Sequence, residues 1–130
     1  MDSSLRFRVE CVNPILNVSS ISTSLDFYTR LLGFKAAEWG TEGFTSVARE
    51  GGCIYLSKGG QGGPGTWIWL GFDGDIFQLY HELLSAGVKI VLPPTNFSWA
   101  MEMQVEDPDG HVIRLGTDPD PSRTYKDLVS

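Results

Sequence analysis

The sequence predicts an α+β fold made of tandem βαβββ modules, which form a curved eight-stranded sheet with a concave cavity. Three observations predict it. First, Leu25, Tyr28, Leu31 and Leu32 stand at i, i+3, i+6 and i+7, one apolar helical face, and Phe77, Tyr80, Leu83 and Leu84 repeat that pattern at a constant offset of 52 residues. Second, each helical stripe follows one strand-like run and precedes three. Third, 15 glycines and 7 prolines cut the chain into short segments, and Gly33 answers Gly87 as Gly52 answers Gly110.

Residues 9–18 are apolar and β-branched with few breakers, and read as the first strand. Ser19-Ser20-Ile21-Ser22 offers hydroxyls to cap a helix N-terminus, and Gly33 suits its C-terminal end. Strands over 34–39, 44–48 and 53–56 follow, divided by glycine-containing turns. Residues 58–65, Lys-Gly-Gly-Gln-Gly-Gly-Pro-Gly, read as a flexible connector. A phosphate loop would end in Gly-Lys-Ser/Thr before a helix, whereas this stretch runs into a strand. The second module opens on a strand over 66–72 holding Trp67 and Trp69, then the helix closed by Gly87. Strands over 89–92, 100–105 and 111–115 complete it, with breaks at Pro93-Pro94 and Asp107-Pro108-Asp109-Gly110. The chain is thus one domain, 1–130, with modules at about 9–57 and 66–117. A four-stranded sheet with one helix leaves a face uncovered, so the modules must close on each other or on a second chain.

Composition narrows the chemistry. Ten basic against 16 acidic side chains give a net charge of −6, the wrong sign for nucleic acid, whose binding rests on Lys and Arg neutralising phosphates. No apolar run approaches the roughly 18–20 residues that cross a bilayer, and the first residues lack a signal peptide's pattern, so a cytoplasmic protein without a membrane partner is expected. Cys11 and Cys53 make neither a disulfide framework nor a zinc site. His81 and His111 read as structural, the latter capping a hairpin.

Three stretches carry a family resemblance: Leu25-Asp26-Phe27-Tyr28-Thr29-Arg30-Leu31-Leu32-Gly33-Phe34, Leu83-Leu84-Ser85-Ala86-Gly87-Val88, and Asp107-Pro108-Asp109-Gly110-His111-Val112-Ile113-Arg114-Leu115-Gly116. Together they resemble the vicinal oxygen chelate superfamily of glyoxalases, bleomycin resistance proteins and extradiol dioxygenases. The resemblance implies the glyoxalase/bleomycin resistance fold. It also places the ligands of the family's enzymatic metal near Asn13, Leu56 or Ser57, Trp67 and Arg114, where no residue is a good ligand. Trp99-Ala100-Met101-Glu102 and the ending Arg114-Leu115-Gly116 resemble the bleomycin resistance branch, which binds drugs without metal.

The expectation is therefore a metal-free, cofactor-free homodimer that sequesters an aromatic or cationic antibiotic-like molecule. Trp39, Phe44, Trp67, Trp69 and Trp99 would supply stacking faces, with Glu102 and Arg114 orienting the guest. Glu102 would attract a cation or act as a general base, and the net charge would favour cationic guests at long range. The alternative is a metal-dependent glyoxalase-like lyase, isomerase or dioxygenase whose ligands lie elsewhere. Whether modules pair within one chain or exchange between two stays open.

Overall fold

The computed structural model describes residue 6 and residues 8–128. The first module runs β1 (Ile15–Val18), α1 (Ile21–Leu25, continued as a π-helix through Asp26–Leu31), β2 (Lys35–Ala36), β3 (Phe44–Arg49) and β4 (Gly52–Lys58). The second runs β5 (Trp67–Gly71), α2 (Ile76–Ser85), β6 (Lys89–Asn96), β7 (Met101–Glu106) and β8 (Val112–Thr117). The sheets have the same topology, β1-β4-β3-β2 and β5-β8-β7-β6, and in each the first strand is parallel to its neighbour while the other pairs are antiparallel. The internal repeat is therefore structural, and the eight strands divide into two four-stranded sheets. No helix among the described residues is long and apolar enough to cross a membrane.

Local chemistry explains most boundaries. Ser20 caps α1 by accepting from the Thr23 N–H, and Asp75 caps α2 by accepting from the Phe77 and Gln78 N–H groups. The first helix widens where the Leu32 N–H bonds the Phe27 carbonyl, five residues back. The wider turn buries the adjacent Phe27 and Tyr28 together, with ring centroids 5.0 Å apart, while Leu25 and Leu31 sit at the margin of the core. The first strand is shorter than the sequence suggests: β1 pairs with β4 only from Ile15, and Val9 and Val12 are exposed. Conversely β6 runs on through Pro93 and Pro94. It is an edge strand whose register shifts between Leu92 and Thr95, so the missing N–H groups break no continuous ladder.

At the end of the first helix Gly33 has φ of 74°, and a Cβ there would lie 2.7 Å from Arg49 Nη1, which donates to the Leu32 carbonyl. Gly33→Ala is expected to destabilise the protein by about 1–2 kcal/mol, read as a shift in urea midpoint.

One apolar cluster spans both modules. It joins Leu16, Val18, Val47, Ile54 and Leu56 of the first sheet to Met103, Val105, Ile113 and Leu115 of the second, with Phe27, Tyr28 and Leu83 of the helices. Polar bridges cross the same boundary: Tyr28 Oη donates to Asp107, the Ser19 N–H donates to Asp109, and His111 Nε2 meets the Asn17 carbonyl at 2.7 Å. The modules thus close on each other through the helix-covered faces of their sheets. The opposite faces stay open and carry the exposed tryptophans.

Candidate binding site

Strand register assembles the open face of the second sheet. Period two puts Trp67, Trp69 and Gly71 of β5 on one side. Pairing sets Trp69 beside Arg114 and Gly71 beside Gly116 on β8, and those oppose Gln104 and Glu102 on β7. The two glycines form a floor for an indole. A Cβ at Gly116 would collide with the six-membered ring of Trp69, and one at Gly71 would lie 3.1 Å from its Nε1. The Arg114 guanidinium sits 5.1 Å from that ring's centroid.

Glu102 is the polar centre of this face. Its side chain is only 1% exposed, yet every acceptor direction is filled. Arg114 grips it with Nε on Oε2 at 2.7 Å and Nη2 on Oε1 at 2.8 Å. Trp99 Nε1 adds a hydrogen bond to Oε1 and Gln104 Nε2 one to Oε2, both at 2.9 Å. The Arg114 contact, aided by Trp99 and Gln104 and opposed by burial, holds the carboxyl down at about 2. A group so depressed is a poor general base at neutral pH.

Trp99 is held from two sides. Its ring lies parallel to Phe97, 5° between planes with centroids 4.6 Å apart, and its other face is open. The Phe97–Ala100 turn is fastened by the C-terminal segment. Asp127 accepts from the Ser98 N–H and hydroxyl, and Asn96 exchanges hydrogen bonds with the backbone of Asp120. Sequence reasoning missed Phe97 and this anchor; an aromatic two residues before Trp99 was the available signal.

Of the predicted site residues, Trp67, Trp69, Trp99, Glu102 and Arg114 come together on this face. Trp39 and Phe44 do not join them: Phe44 stacks with both Trp39 and Tyr55 on the open face of the first sheet. His111 lies fully buried, its Nδ1 accepting from the Thr66 N–H, which makes it part of the module boundary and no part of the open face. The positions implied for an enzymatic metal do not fit a divalent ion. Asn13 has only an amide oxygen to offer, Leu56 and Trp67 carry no ligand atom, the Arg114 cation is fixed to Glu102, and the described residues contain no cluster of three His, Cys, Asp or Glu. Two depressions of about 330 and 290 Å3, at the β2–β3 edge and beside Ser20 and Lys58, include none of these aromatic residues.

The model of the glyoxalase/bleomycin resistance protein/dioxygenase superfamily matches residues 9–115. The chain belongs to this superfamily. Among solved structures, an antibiotic-binding protein, TnmS3 from Streptomyces sp. CB03234, is 26% identical with a TM-score of 0.75, over 88% of this chain and 100% of that one. A glyoxalase/bleomycin resistance protein from the same source is 25% identical with a TM-score of 0.68, over 80% and 96%. A virulence protein of Salmonella typhimurium, 24% identical with a TM-score of 0.72 over 87% and 99%, shares the fold. No curated protein matches by sequence. Within this superfamily fold, the open sheet faces are where the chain keeps its exposed tryptophans.

The glycine floor gives a direct check. Gly116→Ala is expected to lift the Trp69 ring off the sheet and loosen its contact with Arg114, changing intrinsic tryptophan emission while far-UV circular dichroism stays the same. An unchanged emission spectrum would contradict that placement.

Proposed function

We propose that the protein binds a small planar aromatic molecule on the open face of its second sheet and holds it without chemical change. The observation that carries this reading is the set of Trp67, Trp69 and Trp99, each half exposed around the fixed Glu102–Arg114 pair. Exposed indoles on a scaffold locked by hydrogen bonds stack flat rings at little further ordering cost. The similarity to TnmS3, an antibiotic-binding protein, supports the same class of ligand. Binding is metal-free on this reading, since the one carboxylate at the centre of the face is committed to Arg114. The protein acts as a homodimer, in which a second copy lays the Trp39, Phe44 and Tyr55 face over the tryptophans and completes a pocket.

The test is a thermal melt and tryptophan-quenching titration with planar aromatic antibiotics, bleomycin-class compounds included, beside elemental analysis of the protein. A ligand at 100 times its Kd should add about 2.7 kcal/mol of stability, and the compound should be recovered intact. A stoichiometric divalent metal, or a chemically altered compound, would replace this reading with the enzymatic one.

A further inference from the structure

The second sheet's open face also specifies the polarity of its guest, an inference that rests on the binding function proposed above. We infer that the guest is a planar aromatic bearing a carboxylate, carbonyl or phenolate oxygen, held by the free edge of Arg114, and that cations are disfavoured.

The argument is a count of donors and acceptors. A carboxylate offers about four lone-pair directions, and Glu102 spends two on Arg114, one on Trp99 and one on Gln104. Nothing is left for an ammonium ion. The other acid on this face, Glu106, pairs with Lys89 at 3.1 Å. Gln104 gives its amide N–H to Glu102 and keeps its carbonyl as the one neutral side-chain acceptor at the centre of the face.

Donors are in excess. Arg114 carries five N–H groups and commits Nε and one N–H of Nη2 to Glu102, so both hydrogens of Nη1 and the second of Nη2 remain on a side chain 36% exposed. The indole N–H groups of Trp67 and Trp69 have no hydrogen-bond acceptor among the described residues, and both rings are half exposed. Arg114 Nη2 and Trp99 Nε1 share Glu102 Oε1, so a ring stacked on the open face of Trp99 lies beside the guanidinium. An oxygen on that ring then meets a planar fork whose orientation the buried carboxylate has already fixed. The overall charge of −6 opposes this only at long range, because screening confines it to about 8 Å at physiological salt.

The test uses three probes of one shape: 2-naphthoate, 2-acetylnaphthalene and 2-naphthylmethylammonium, titrated against the full chain by tryptophan quenching in 0.15 M salt. Naphthoate is expected to bind about tenfold or more tightly than the ammonium, the usual scale of one charge-assisted hydrogen bond, with the ketone between them. Arg114→Lys keeps a cation for Glu102 but loses the free planar edge, and is expected to bring the two charged probes to within about threefold. An ammonium that binds the native protein as tightly as naphthoate overturns this inference and leaves the binding function standing. An unchanged preference in Arg114→Lys overturns the assignment to Arg114. Failure of all three probes to bind at millimolar concentration overturns both.

Discussion

Asp107→Ala is expected to lower the stability of the folded chain by about 3–5 kcal/mol, the range found when a buried charged hydrogen-bonding group is removed from its partners. Asp107 is 5% exposed at the β7–β8 hairpin. Its Oδ1 accepts from the Asp109 and His111 N–H groups at 2.9 and 2.8 Å, which shapes the turn. Its Oδ2 accepts from the hydroxyl of Tyr28, a fully buried residue of the other module, at 2.9 Å. Truncation strands three donors at once, one of them in the core. Burial first, and then the Asp107 carboxylate, push the Tyr28 phenol above its ordinary range, so it is a donor at any working pH. Tyr28→Phe removes one donor and leaves the turn intact, so it should lose only about 1–2 kcal/mol. Urea unfolding followed by circular dichroism checks both, and a loss below about 1 kcal/mol for Asp107→Ala would show that the modules do not depend on this bridge.

That bridge illustrates what the sequence could and could not reveal. Asp107-Pro108-Asp109-Gly110 reads at once as a turn, because Asx side chains and glycine solve a local backbone problem. That the same turn docks on Tyr28 and on the start of α1 depends on how two modules meet, which no local pattern encodes. The repeat was legible for a similar reason: each module carries its own period and caps. The π-helical widening at Asp26–Leu31 was not, because a 3.6-residue period places Leu25, Tyr28 and Leu31 inward, whereas the wider turn swaps Phe27 in beside Tyr28. In β6, two prolines read as a break because local chemistry says nothing of edge position.

The site follows the same division. The tryptophans, Glu102 and Arg114 could be named from residue type and strand period. Their ion pair could not, since it is a diagonal contact. Glu102 lies opposite Gly116 and Arg114 opposite Gln104, so the guanidinium reaches the carboxylate along the diagonal of two neighbouring pairs, while the space above Gly116 is taken by the Trp69 ring. A slip of one residue in the register of β7 against β8 would send the carboxylate to the other face. Residue type and alternation leave Glu102 a free carboxylate able to meet a guest; in the folded chain it is sealed beneath Arg114 and Trp99.

Arg114→Met tests that seal, and its expected loss is again about 3–5 kcal/mol at pH 7, because it leaves a buried carboxylate without its cation. The effect has a pH signature. In the native protein the folded-state value of Glu102, about 2, lies below the ordinary 4.5. A depressed carboxylate contributes stability that is fully present above about pH 4.5 and is lost progressively as pH falls toward 2. That contribution is about 2–3 kcal/mol after allowance for the partly exposed arginine. Without Arg114, burial opposes ionisation with only Trp99 and Gln104 to answer it, so the carboxyl takes up a proton at higher pH and the variant loses less stability on acidification than the native protein does. Arg114→Met should therefore differ most from the native protein at neutral pH and approach it near pH 2–3. The double change Glu102→Leu with Arg114→Met removes both the charge and its need for a partner, and should recover at least half of the loss. If Arg114→Met alone matched the native protein at pH 7, the carboxylate would have another way to reach water or a cation. The closed count of acceptors on this face, and with it the case against cationic guests, would then fail.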